Sequence, residues 1–130
     1  MKPELAPLIW VTSLTAVLWA PYVLNRMVVG GLEATVGYPS KPATLSPWAT
    51  RLRAAHANAV ENLVVFAALV LAAEISGLRT SGIEAAGWLY LGARVLHVIT
   101  YTLGISWLRT LAFVGGFAAQ VMVAWQLVTA

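Results

Sequence analysis

The sequence contains no cysteine and few charged residues, and both absences narrow what the protein can be. Without cysteine the chain forms no disulfide and offers no thiol of its own, so a thiol-dependent reaction would need its sulfur on a bound cofactor. Charged residues make up 10% of the 130 residues, whereas a soluble domain carries about 25%. Hydrophobic residues make up 60%, and the mean hydropathy is +0.80. We therefore predict an integral membrane protein.

Four apolar stretches are long enough to cross a bilayer, which takes a helix of about 20 residues. They are continuous rather than alternating, so they indicate helices and not barrel strands. In the second, the uninterrupted apolar part is only Leu63–Ala73, so helix packing or a polar cavity must accommodate its first half. The predicted fold is all-α, a single-domain integral membrane four-helix bundle over residues 1–130, with spans near 5–29, 53–76, 83–103 and 107–129.

Positive charge is concentrated on one side of the predicted bundle. Four crossings place the 30–52 connection and the 103–106 turn on that side and both termini on the other. The positive-inside rule makes the first side cytoplasmic, so we expect a protein of the cell inner membrane with both termini outside. No basic run with interleaved aromatic residues suggests a nucleic-acid partner. The first side is flanked by Arg26, Lys41, Arg51, Arg53 and Arg109, and the second by Lys2 and Arg79.

Polar and ionisable side chains cluster in the cytoplasmic half of these apolar stretches. Burying such a group in hydrocarbon costs about 2.5–3.5 kcal/mol on insertion scales, so these groups usually mark a functional cavity. In the third span, three of them and a tyrosine farther from the cytoplasmic end recur at i, i+4, i+7 and i+11 and share one helix face. Arg94, about 13 Å from the helix end at 1.5 Å per residue, is too deep for a membrane anchor. The four are Tyr90, Arg94, His97 and Tyr101, and other spans add Arg51, Arg53, His56, Asn58, Glu61 and Arg109.

The cluster offers several guanidiniums, a carboxylate, an amide and a phenol, a set that suits a small zwitterionic ligand with more than one carboxylate. Glu61 lies at a depth comparable to that of Arg94, so an ion pair between them is plausible. Such a pair could instead hold two helices in register. His97 taken alone is better explained as a packing partner, and His56 points away and is interpreted as structural. No close ligand spacing such as His-x-x-x-His is present, so no metal site is expected.

At these residues the chain resembles the family of membrane-associated proteins in eicosanoid and glutathione metabolism, which includes microsomal glutathione transferases and prostaglandin E synthase. The family's second-helix signature is approximately Arg-Ala-His-x-Asn-Asp-x-Glu-Asn, and residues 54–62 read Ala-Ala-His-Ala-Asn-Ala-Val-Glu-Asn. The third-helix pattern Arg-x-x-His-x-x-x-Tyr is matched by residues 94–101. The arginine that opens the family's fourth helix looks like Arg109. The resemblance covers all four spans, and the motifs are specific only in combination.

The resemblance implies a homotrimer that binds glutathione, or another small thiol, between subunits toward the cytoplasmic side. Asn58 and Glu61 would bind the tripeptide backbone, and Arg94 and His97 would help to complete the pocket. Arg109 would hold the sulfur as thiolate, because a neighbouring arginine favours the ionised form of a thiol, and Tyr101 would share the catalytic site with it. The implied activity is that of a transferase or peroxidase, and its second substrate would be an apolar electrophile or a lipid hydroperoxide from the membrane lipid.

Two positions depart from the family signature. Ala54 stands in place of an arginine that contacts glutathione in the family, and Ala59 replaces the aspartate. Arg51 and Arg53 are the candidates to supply the missing guanidinium.

Two other classes of function remain open. Small proton-coupled exporters of four helices have a similar size, but they rely on a membrane-buried acid in the first helix, and residues 5–29 contain no Asp or Glu. A non-catalytic membrane scaffold would use the same polar residues only to fix helix packing.

Overall fold

A computed structural model describes residues 1–130, and all of its regular elements are helices. Helices α1 and α2 are separated only by Leu18 and together run from Ala6 to Gly30. Pro21 accounts for the interruption, because a proline has no N–H to donate to the carbonyl of Val17. The prediction of an all-helical protein is confirmed. The elements in order are α1 (Ala6–Val17), α2 (Trp19–Gly30), α3 (Leu32–Val36), α4 (Pro47–Ile75), α5 (Ser81–Leu103) and α6 (Ser106–Thr129).

Three of these helical segments are long and apolar enough to cross a membrane, namely Ala6–Gly30, Pro47–Ile75 and Ser106–Thr129. Helix α5, at 23 residues, is also long enough to span. It falls short of the other segments in apolar character, because Glu84, Arg94 and His97 interrupt its apolar sequence. The chain is thus an integral membrane protein with three apolar spanning segments and a fourth long helix that carries polar side chains.

Helix α4 begins at Pro47, six residues before the predicted start of the second span at 53. Proline is favoured in the first turn of a helix, where its missing N–H has no intrahelical partner to lose. The start is also fixed from outside, since the backbone N–H of Ser46 donates to Asn25 Oδ1 at 2.9 Å and Asn25 Nδ2 donates to Ser46 Oγ at 2.8 Å. The earlier start places Arg51, which precedes the predicted span, on the helix itself.

The apolar core lies toward the end of the bundle that carries the chain termini, and it leaves the polar side chains at the other end. Phe66 of α4 stacks on Tyr90 of α5, with ring centroids 3.8 Å apart and planes 9° from parallel. Small residues on α5 and α6 allow these two helices to lie in close contact, since a Cβ built at Gly115 would be 3.6 Å from Ala93 Cβ. The largest cluster of buried apolar residues consists of Leu8, Val11, Phe66, Val70, Ala86, Tyr90, Ala119 and Val123.

Candidate functional site

A polar cavity of about 200 Å³ lies where α4, α5 and α6 meet, close to the α5–α6 turn. Helix α4 contributes one amide, α5 an imidazole and a phenol, and α6 a guanidinium, a hydroxyl and a phenyl ring. Its lining residues are Asn58, His97, Tyr101, Arg109, Thr110 and Phe113. Four of the residues that the sequence marks as a site therefore line one cavity, and they come from three different helices.

Tyr101 and Arg109 are in direct contact across the α5–α6 turn. The Arg109 guanidinium carbon lies 4.8 Å from the centroid of the Tyr101 ring, within the range of a cation–π interaction. His97 meets the edge of the same ring, with centroids 5.5 Å apart. Because Tyr101 and His97 lie one turn apart on α5, the aromatic pair forms a wall against which the Arg109 side chain rests.

Arg94 is buried, with 1% of its surface exposed, and it does not line the cavity. Its Nη1 donates to Asn58 Oδ1 at 2.8 Å, whereas Nε and Nη2 have no hydrogen-bond partner in the chain. The guanidinium lies over the rings of Tyr90 and Phe113, at 5.6 and 5.7 Å from their centroids. Arg94 therefore acts on the cavity through Asn58 rather than by touching what the cavity holds.

Gly116 of α6 leaves the space that the Arg94 side chain occupies. A Cβ built at this position would lie 3.0 Å from Arg94 Nη2 and 3.3 Å from Nε, closer than ordinary van der Waals contact. The absence of a side chain at Gly116 is thus a condition for the buried position of the guanidinium.

The ion pair between Glu61 and Arg94 is not formed within the chain, so this prediction is wrong for the single subunit. Both ion pairs of the chain involve Glu74, which contacts Lys2 and Arg79. Glu61 is exposed on the outer face of α4, while Arg94 lies in the interior. The physical reason is helical rotation: Asn58, three residues earlier, points toward α5 and takes the guanidinium, and at 100° per residue Glu61 is turned about 60° from it.

The remaining predicted residues on α4 lie outside the cavity. Arg51 donates from Nε to the carbonyl oxygen of Thr102 at 2.8 Å, at the end of α5. Arg53 is exposed. His56, interpreted from the sequence as structural, has its Nδ1 2.7 Å from the hydroxyl of Tyr22 and so connects α4 to α2.

Thr110 and Phe113 also line the cavity, and the sequence motifs did not predict either residue as part of a site. Thr110 is exposed toward the cavity and donates to the carbonyl of Ser106 at 3.1 Å. The signal that could have found it is its position directly after Arg109. Phe113 carried no signal, because an aromatic residue in an apolar helix is equally expected to face lipid.

Taken together, the fold and the cavity define a class of protein: a helical membrane protein with a cationic, aromatic-walled cavity between its helices. The sequence model of the MAPEG family matches residues 9–129, nearly the whole chain. The chain therefore belongs to that family. The family expected from the three motifs is thereby confirmed. No curated protein matches the chain.

Proposed function

We propose that the chain is a membrane-bound transferase or peroxidase that activates glutathione, or another small thiol, against apolar electrophiles or lipid hydroperoxides. Two observations support this. Proteins of the MAPEG family commonly use glutathione, and the chain's own cavity places an arginine without an acidic partner beside a tyrosine. The second observation carries the proposal, because it concerns the residues of this chain.

Arg109 is suited to hold a thiolate. Its guanidinium is half-buried at the cavity and forms no ion pair, so its charge is available to an incoming anion. A free thiol has a pKa of about 8.5, and a neighbouring arginine lowers that pKa. Glutathione would supply the sulfur nucleophile that a chain without cysteine lacks. The Tyr101 ring keeps the guanidinium at the cavity wall, and the apolar surroundings strengthen its attraction for negative charge.

The other polar groups of the cavity fit a peptide-like thiol. His97 Nδ1 is buried beside the cavity and has no hydrogen-bond partner in the chain, and a buried polar atom of this kind normally has one. Asn58 Oδ1 is held by Arg94, which orients the amide and leaves its NH₂ group free to donate to a carboxylate. Both residues would bind the polar backbone of the thiol, and Arg94 would fix Asn58.

A second copy of the chain is needed to complete such a site. The cavity of one subunit, about 200 Å³, is smaller than the range of about 300–1,000 Å³ typical of small-molecule sites. Arg53 and Glu61 are exposed on α4, and a charged side chain within a membrane span is expected to face protein rather than lipid. We propose that α4 packs against another subunit of a homotrimer and that Arg53 and Glu61 contribute to the site there.

The proposed topology follows from the positions of the charges. With α5 as the fourth crossing, the α5–α6 turn and the 30–52 loop lie on the side with most of the arginines, which the positive-inside rule makes cytoplasmic. The cavity then opens toward the cytoplasm of a cell with the chain in its inner membrane, where glutathione is available. Apolar substrates would reach the site from the bilayer.

The experiment that tests this proposal measures, by calorimetry, the binding of glutathione and related small thiols to the purified protein in detergent. The wild type is expected to bind at least one of these thiols and to conjugate it to an apolar electrophile. Arg109→Ala should lose conjugation by at least about a hundredfold, a loss typical of removing a group that stabilises developing charge. Failure of every cellular thiol to bind the wild type would rule out the proposal.

A further inference from the structure

Arg51 joins the beginning of α4 to the end of α5. Its Nε donates to the carbonyl oxygen of Thr102 at 2.8 Å, and the side chain is half-buried. The guanidinium also lies against the α5–α6 turn: a Cβ built at Gly104 would be 3.5 Å from Arg51 Nε and 3.6 Å from Cζ, which is ordinary contact distance. Arg51 is not a lining residue of the polar cavity.

The carbonyl that Arg51 binds is one that the end of α5 leaves free. Gly104 adopts a left-handed conformation, with φ of 77°, and its N–H donates to the carbonyl of Tyr101 at 3.1 Å. The N–H of Ile105 donates to the carbonyl of Thr100 at 2.9 Å. These two bonds form a Schellman motif and satisfy two of the terminal carbonyls. The next carbonyl, that of Thr102, receives its hydrogen bond from another helix.

The same turn determines the contact between the two residues proposed as catalytic. Tyr101 lies immediately before Thr102, and the backbone N–H of Arg109 donates to the carbonyl of Ile105 at 3.1 Å, in the first turn of α6. The last turn of α5 contains no basic residue, although a cation there is favoured by the helix dipole. Arg51 supplies that cation from α4. A change in the turn would therefore move Tyr101 and Arg109 relative to each other.

We propose that Arg51 is a positioning residue: it caps the C-terminus of α5 and so fixes the α5–α6 turn that holds the Arg109 guanidinium against Tyr101. The effect of this residue on the ionisation of a bound thiol rests on the proposed function. The capping of α5 by Arg51 does not depend on that function. It also reassigns Arg51, which the sequence suggested as a direct ligand of glutathione.

The first measurement is hydrogen exchange of the intact protein in detergent, which reports the turn without any thiol. In Arg51→Met, the amides of residues 100–109 should exchange about tenfold faster or more, because a charge-assisted hydrogen bond to the end of the helix is lost. Arg51→Lys retains a cation that can reach the Thr102 carbonyl and should restore most of the protection. Lys41→Met, which removes a positive charge from the exposed loop, should leave this segment unchanged. Unchanged exchange in Arg51→Met would overturn the proposal.

The second measurement separates positioning from direct binding. With glutathione bound, Arg51→Met should raise the pKa of the bound thiol toward the free value of about 8.5. The dissociation constant measured at a pH where the bound thiol is protonated should change by no more than about threefold, since an arginine outside the cavity provides no direct contact. A large loss of affinity with an unchanged thiol pKa and unchanged exchange would show that Arg51 is a ligand instead. If the wild type binds no thiol, the proposed function fails, and the exchange result alone decides the capping.

Discussion

Arg94 donates a hydrogen bond to Asn58 Oδ1 at 2.8 Å, and this is the only hydrogen bond that its buried guanidinium makes. A buried cation normally has an anionic partner, because the cost of removing it from water is large. Here the compensation within the chain comes from one amide and two aromatic rings, those of Tyr90 and Phe113. The positive charge behind Asn58 favours an anion in the cavity beyond it, in the same direction as Arg109.

Removing the Asn58 amide should destabilise the protein. Asn58→Ala leaves the Arg94 guanidinium without any hydrogen-bond partner in the chain, and leaving a buried polar group unsatisfied costs about 1–3 kcal/mol. The measurement is unfolding of the purified protein in mixed detergent. Asn62→Ala is the matched control: the Asn62 amide donates to the Asn58 carbonyl at 2.9 Å and to Asn58 Oδ1 at 3.3 Å, so this variant removes a neighbouring amide while the Arg94–Asn58 bond stays in place. Equal losses in the two variants would contradict the role given to the Arg94–Asn58 bond.

A side chain at Gly116 should displace Arg94. Gly116→Ala places a Cβ 3.0 Å from Arg94 Nη2, and overpacking of this kind costs about 1–3 kcal/mol. We also expect weaker thiol binding, since Asn58 loses the partner that orients it. Gly92→Ala, on the helix that carries Arg94, meets nothing within 4 Å. It should be neutral or slightly stabilising, because alanine favours a helix by up to about 1 kcal/mol over glycine. The measurements are the free energy of unfolding and, by calorimetry, the thiol affinity of both variants.

The ring of Tyr101, rather than its hydroxyl, should hold Arg109 in place. Tyr101→Phe keeps the aromatic face under the guanidinium, so the ionisation of a bound thiol should be retained. Tyr101→Leu removes the face and a cation–π interaction of about 0.5–2 kcal/mol, so the bound thiol should be less ionised at neutral pH. The pH titration of thiolate absorbance distinguishes the two. If Tyr101→Phe lost ionisation as fully as Tyr101→Leu, the hydroxyl would be the important group.

The contact between Tyr22 and His56 should matter for stability alone. Their hydrogen bond, at 2.7 Å, joins α2 to α4 on the side of α4 away from the cavity. Tyr22→Phe should therefore lower the free energy of unfolding by about 0.5–1.5 kcal/mol, the usual net value of one hydrogen bond. Thiol affinity should stay within error of the wild type. A parallel loss of affinity would indicate that the α2–α4 side takes part in binding.

The sequence was sufficient to predict relationships within one helix. The spacing of Tyr90, Arg94, His97 and Tyr101 depends only on the helical repeat. In the structure the first three are buried and Tyr101 is half-buried, so the four face the interior. Likewise, membership of the MAPEG family followed from three motifs, because each combines residue type with fixed spacing.

Relationships between helices were not predictable in the same way. Whether Asn58 or Glu61 meets Arg94 depends on how far α4 is rotated about its axis, and packing against α5 decides this. The start of α4 at Pro47 depends on bonds between Ser46 and Asn25, which are 21 residues apart in the chain. The capping role of Arg51 requires knowledge of which carbonyl at the end of α5 is left free, and only coordinates provide it.

The most direct test of whether Arg109 ionises a bound thiol is the ultraviolet absorbance of thiolate when glutathione is added to the purified protein at neutral pH. We expect a rise with the wild type and none with Arg109→Ala, because the Arg109 guanidinium is the charge that favours the ionised sulfur. A rise of equal size in Arg109→Ala, or the absence of a rise with the wild type and any small thiol, would contradict it.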